Sequence, residues 1–105
     1  YGEGFGIPLI EAQACGTRVL TGSWTAMPDL AGPSSWILRG QPFWDETQAA
    51  FYEIPLVDSI YEGLKLAYDA PRGVDEESIE FVKQFEVETV WRDKWMPFWK
   101  GYFNA

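Results

Sequence analysis

The chain has 105 residues, with 16 acidic against 8 basic side chains, a formal net charge of −8, no His and a single Cys. Without His there is no His-dependent nucleophile, no imidazole acid or base and no His-ligated metal, and one Cys makes neither an internal disulfide nor a Cys-built zinc site. So acidic a chain repels phosphate backbones and anionic lipids, which argues against nucleic acid or a membrane surface as partner. The length fits one domain, and 47% hydrophobic residues with 17% aromatic supply material for a core. No stretch approaches the roughly 20 apolar residues of a membrane span, the start lacks a signal-peptide pattern, and the lone Cys15 suits a reducing cytoplasm. The chain begins on Tyr1 and runs at once into Gly2-Glu3-Gly4-Phe5-Gly6, which reads as the middle of a functional loop and as the tail of a longer protein.

In chain order, the first third reads as α/β. Pro8 suits the first position of a helix over 8–15, Ile7 stands as its N-cap, and Gly16 ends it as a left-handed cap. Arg18-Val19-Leu20-Thr21, closed by Gly22, predicts a short buried strand, and Met27 to Ala31 a further helical turn stopped by Gly32-Pro33. Ser35 to Arg39 reads as another strand; Gly40-Gln41-Pro42 breaks it before an aromatic excursion through Phe43 and Trp44, and Ala49 to Ile54 returns extended. From Leu56 the apolar period turns helical on Val57, Ile60, Leu64 and Ala67 or Tyr68, until Pro71 and Gly73. Asp75-Glu76-Glu77 opens the next helix, with Ile79, Val82 and Phe85 on one side and its carboxylates solvated near the positive end of the dipole. A last helix from about Val87 carries Trp91, Trp95, Phe98, Trp99 and Tyr102 as a broad stripe, kinked by Pro97 and read as core packing rather than sugar stacking. Cys15, ending an apolar helix, reads as a buried inert thiol.

The segment Gly2 to Glu11 bears most on function. Glycines at alternate positions let a backbone approach a ligand closely, and they lead into a helix whose first N–H groups lack partners, which together make an anion cradle. Ile7 has no side-chain oxygen with which to cap that helix, leaving water, a neighbouring segment or a bound phosphate to do so. Glu3 and Glu11 flank the loop and can accept hydrogen bonds from hydroxyls on either side of what it holds. The alternative is a structural Gly-rich turn, with Glu11 complementing the helix dipole and Glu3 solvated.

The run Glu3-Gly4-Phe5-Gly6-Ile7-Pro8-Leu9-Ile10-Glu11-Ala12-Gln13-Ala14-Cys15-Gly16-Thr17, followed by Val19-Leu20-Thr21, closely resembles the Glu, seven residues, Glu signature of retaining nucleotide-sugar glycosyltransferases of the two-Rossmann (GT-B) architecture, the glycogen-synthase and sucrose-synthase-like group. The likeness is dense over residues 1–32 and in outline beyond. It implies an α/β fold, the C-terminal part of a Rossmann-like domain with short parallel strands and several C-terminal helices: a donor motif over 1–32, a strand and aromatic loop over 33–55, and a helical tail over 56–105. It implies that Glu3 is the catalytic-site acid facing the donor hexose. The amides of Gly4, Phe5, Gly6, Ile7, Leu9 and Ile10 would hold sugar and diphosphate, and Glu11 the ribose hydroxyls. It implies a nucleoside-diphosphate sugar as donor, no metal or other cofactor, and a separate N-terminal domain carrying the acceptor site, so that this chain alone is inactive.

Two residues depart from the family pattern: Arg18 stands where Pro is usual and Asp29 where Glu is common, neither within the two-acid signature. A terminal helix of this architecture crosses toward the N-terminal domain, so the aromatic stripe in the isolated chain would lose cover and drive self-association. Other readings are an epimerase or phosphorylase on the same scaffold, or a non-catalytic assembly module.

Overall fold

The computed structural model describes residues 3–104. The element order is α1 (Ile7–Ala14), β1 (Leu20–Gly22), β2 (Trp36–Leu38), β3 (Gly40–Asp45), β4 (Ala50–Pro55), α2 (Val57–Asp69), α3 (Glu76–Val82), α4 (Val87–Val90) and α5 (Met96–Phe103), with single tight turns of helix at Pro28–Leu30 and Lys83–Phe85. β1 and β2 pair in parallel, Thr21 opposite Ile37, and Trp36 N–H extends the ladder to the Val19 carbonyl at 3.0 Å. Residues 23–35 make the crossover, close to the minimum of about a dozen that a parallel connection needs. The chain is therefore mixed helix and sheet with a short parallel pair. The excursion after Gly40 is a regular antiparallel hairpin, β3 against β4, with Phe43 opposite Tyr52 and Trp44 opposite Phe51. No helix among the described residues is long and apolar enough to cross a membrane.

The body is thin. Its extents are 54 × 43 × 15 Å and its radius of gyration is 17.0 Å, against about 13 Å for a compact domain of this length. Among the described residues only Val19, Leu30 and Val82 are buried hydrophobic side chains, and polar groups do much of the joining. Gln13 is fully buried: its amide donates to the carbonyls of Leu9 and Leu30 at 2.8 and 2.7 Å, and its oxygen accepts from Gly32 N–H at 2.6 Å. One side chain thus ties α1 to the Pro28–Leu30 turn and to the approach to β2.

α2 lies on the parallel pair by a different face from the one the period picks out. Val57 and Leu64 are exposed; Ser59 and Gly63 are buried, and Ile60 and Ala67 half-buried. A Cβ on Gly63 would stand 2.7 Å from Leu20 Cδ1 and 3.1 Å from Leu38 Cδ2, so only glycine lets the helix sit this close. Ser59 Oγ accepts from Arg39 N–H at 2.8 Å and pins the helix to the end of β2.

Asp75 is not a solvated acid at a helix start but the buried N-cap of α3. It accepts from Ser78 N–H at 2.9 Å and from the Ser78 hydroxyl at 2.6 Å, and it pairs with Arg18 at 3.0 Å. Arg18 also donates to the Pro71 carbonyl at 2.8 Å, so it clamps the loop between α2 and α3. Glu76 and Glu77 are exposed as expected. The Ser78 hydroxyl bond is the chief influence holding the Asp75 carboxyl below its ordinary value; burial opposes it, and Arg18 adds to the lowering. A carboxyl lowered in the folded state stabilises the fold above its unfolded value of about 3.9, and that contribution is lost as pH falls through the folded value. The stability gap between the wild type and Asp75→Asn is therefore expected to be full at about pH 7 and to shrink progressively as the pH falls below the unfolded value, read by urea unfolding. A gap that does not change as the pH is lowered would show that the carboxylate's charge is not its source.

Two further expectations are corrected. Cys15 is exposed rather than buried, because α1 ends one residue before it and turns it outward. The aromatic stripe is not core: no residue from Lys83 to Asn104 is buried, and Trp91, Trp95, Phe98, Trp99 and Tyr102 are all exposed. These rings pack mainly on one another, as Trp95 stacks on Trp99 at 6.4 Å and Phe98 meets Trp99 edge-on at 5.1 Å. The disturbance expected at Pro97 is a π-helical stretch over Trp91–Trp95, which widens the helix where the proline ring would press on the carbonyl of Asp93.

Candidate functional site

The Glu3–Gly6 loop enters α1 through Gly6, whose φ of 96° is left-handed and suits glycine alone. Gly6 is the N-cap, so Ile7 stands one place inside the helix, with Pro8 at its second position and no side-chain cap. Leu9 N–H is taken by the Gly6 carbonyl at 3.0 Å, so it is no free donor for a ligand. Among the described residues the amides of Gly4, Phe5, Gly6 and Ile7 have no hydrogen-bond partner. Around Gly4 the space is open, with nothing within 4 Å of where a Cβ would stand. Phe5 and Ile7 are exposed, and Ile10 is half-buried on the next turn of α1.

Glu3 N–H donates to Thr25 Oγ1 at 3.0 Å, and that hydroxyl donates to the Trp24 carbonyl at 2.7 Å. Thr25 lies in the loop that leaves the carboxyl end of β1, so the glycine loop sits at the carboxyl edge of the parallel pair, where open α/β sheets collect ligands. Both candidate carboxylates, Glu3 and Glu11, are exposed and carry no hydrogen bond or ion pair among the described residues. They are free to accept from hydroxyls. No group of three metal-ligating side chains gathers among the described residues.

The loop after β1 also holds the hairpin. Ser23 donates to Glu53 Oε1 at 2.5 Å, and Trp24 Nε1–H donates to the Phe51 carbonyl at 3.0 Å. A groove of about 270 Å³ opens between the two parts, lined by Glu3, Gly4, Thr25, Ala50, Phe51 and Tyr52. Larger openings lie elsewhere: about 430 Å³ around Arg18, Trp36 and Tyr68, and about 440 Å³ along Trp91, Trp95 and Trp99. Trp24, Thr25 and the β4 residues are absent from the sequence-predicted site. The available signal was the pairing of Phe43-Trp44 with Phe51-Tyr52 around Asp45, whose carboxylate accepts from Thr47 and Gln48 N–H at 2.8 and 3.3 Å to make the turn.

Comparison with protein-family models, with curated proteins and with solved structures finds no match to this chain.

Proposed function

We propose that this chain is the nucleotide-sugar-binding part of a retaining glycosyltransferase of the GT-B kind, acting on a glycan or other acceptor held by a second domain. One observation carries the reading: four unpartnered amides on a glycine loop, flanked by two unpaired carboxylates, lie at the carboxyl edge of a parallel strand pair. N–H donors fixed in advance suit a diphosphate, because they meet the charge that builds on the leaving nucleoside diphosphate as the glycosidic bond breaks. Glu3 then accepts from the hexose hydroxyls near the reacting carbon, and Glu11 from the ribose. In the same reading the aromatic arm from Val87 onward docks on the acceptor domain, or associates with its own kind when uncovered.

Titration with UDP, GDP and ADP, followed by amide shifts, tests the donor site. Saturable shifts from Gly4 to Glu11 are expected for one base, and Glu11→Ala should weaken that binding about tenfold, the scale of a lost hydrogen bond to a charged group. Unchanged affinity in the variant would favour a non-catalytic assembly module. Product analysis with the intact protein separates transfer from epimerisation or phosphorolysis.

A further inference from the structure

We propose that the Trp24-Thr25 loop and the Phe51-Tyr52 stretch of β4 form a sugar-selecting wall beside Glu3, taking the hexosyl half of the donor. The inference rests on the donor-binding reading above and assigns residues that the glycine motif does not contain.

The wall is built rather than incidental. Three consecutive residues after β1 each bond to a different partner: Ser23 to Glu53 on β4, Trp24 to the Phe51 carbonyl, and Thr25 to the Glu3 amide, at 2.5, 3.0 and 3.0 Å. Glu3 and β4 therefore hold a fixed spacing although they are far apart in sequence. Thr25 has a φ of 59°, an uncommon conformation for a β-branched residue, of a kind that persists where surrounding bonds impose it. Here the imposed geometry turns one hydroxyl toward both Glu3 N–H and the Trp24 carbonyl.

The chemistry of the lining matches a pyranose. A hexose presents a rim of hydroxyls and an apolar C–H face; the groove offers an exposed carboxylate at Glu3 and the exposed ring of Phe51, while Tyr52, the next residue of the strand, turns its own ring to the opposite face. Phe51 is 57% exposed although Trp44 packs edge-on against it at 5.0 Å, so the ring is steadied without being covered. Cross-strand pairing accounts for the contact of Phe51 with Trp44. It does not account for a groove that ends on Glu3. A volume of about 270 Å³ is small beside ordinary ligand pockets and fits a single sugar, leaving the nucleoside diphosphate to the glycine loop.

The test compares UDP, GDP and ADP with UDP-glucose, GDP-mannose and ADP-glucose on the intact protein, reading the affinity ratio between each diphosphate and its sugar. Phe51→Ala is expected to cut the sugar's contribution about three- to tenfold while the bare diphosphate binds as before. Phe51→Tyr keeps the ring and every bond of the hairpin, and should retain the sugar's contribution. An unchanged sugar contribution in Phe51→Ala, with diphosphate binding intact, would overturn the wall and leave the donor site standing. Absence of any saturable diphosphate binding to the wild type would overturn both.

Discussion

Replacing Gln13 by Leu is expected to lower the unfolding free energy by about 4 kcal/mol, because it leaves two buried main-chain groups without partners at about 1–3 kcal/mol each. Leucine matches glutamine closely in volume, so no cavity opens and the loss is one of hydrogen bonding. The groups left bare are the Leu30 carbonyl and the Gly32 N–H, now bonded to Gln13 at 2.7 and 2.6 Å; Leu9 keeps a helical role for its carbonyl. Gly32 comes so near that a Cβ there would stand 2.7 Å from Gln13 Oε1. In a body with three buried hydrophobic side chains among the described residues, such a loss takes much of the total stability, which for natural domains is about 5–15 kcal/mol. Urea unfolding measures it. A loss under about 1 kcal/mol would show that water takes over the bonds.

The same residue explains part of what the sequence could and could not disclose. Gln13 falls in an apolar helical run, and nothing local marks it as the joint between α1 and the crossover, because its partners lie 17 and 19 positions on. Helix α2 was legible in extent and period but not in phase. Hydrophobic periodicity points to Val57 and Leu64, whereas close packing on short strands selects Ser59 and Gly63, the small side chains that permit it. Pro42 reads as a breaker, yet it lies within β3 opposite Glu53. In a two-stranded ribbon each strand is an edge, so a proline can sit where no ladder bond is needed.

The site divides along the same line. The glycine loop, its two acids and the helix behind it are contiguous, and spacing alone brings them into view. The loop after β1 enters the site through three bonds across 22 to 30 positions, a relation that no local pattern encodes. The aromatic arm is the converse case. Its 3–4 spacing correctly announces a continuous apolar face, but periodicity does not say what lies against a face, and here the rings meet mainly each other.

Gly16→Ala is expected to cost about 3 kcal/mol, through two separate effects. Its φ of 74° lies in the left-handed region, which costs a residue with a Cβ about 1–2 kcal/mol. The added methyl would also stand 2.5 Å from Val74 Cγ1 and 3.2 Å from the backbone nitrogen of Asp75, and crowding of that kind costs about 1–3 kcal/mol. Relief by movement is blocked, since Asp75 N–H donates to the Gly16 carbonyl at 2.8 Å and the Asp75 side chain is fixed by Ser78 and Arg18. The strain therefore passes into the first turn of α3, whose amides should lose protection from exchange before those of α2. Gly4→Ala is the control, because a methyl there meets nothing within 4 Å and the backbone is not left-handed. If chemical unfolding gave the two variants equal stability, the left-handed turn between α1 and β1 would not hold in solution, and the seating of Asp75 on Gly16 would have to be abandoned with it.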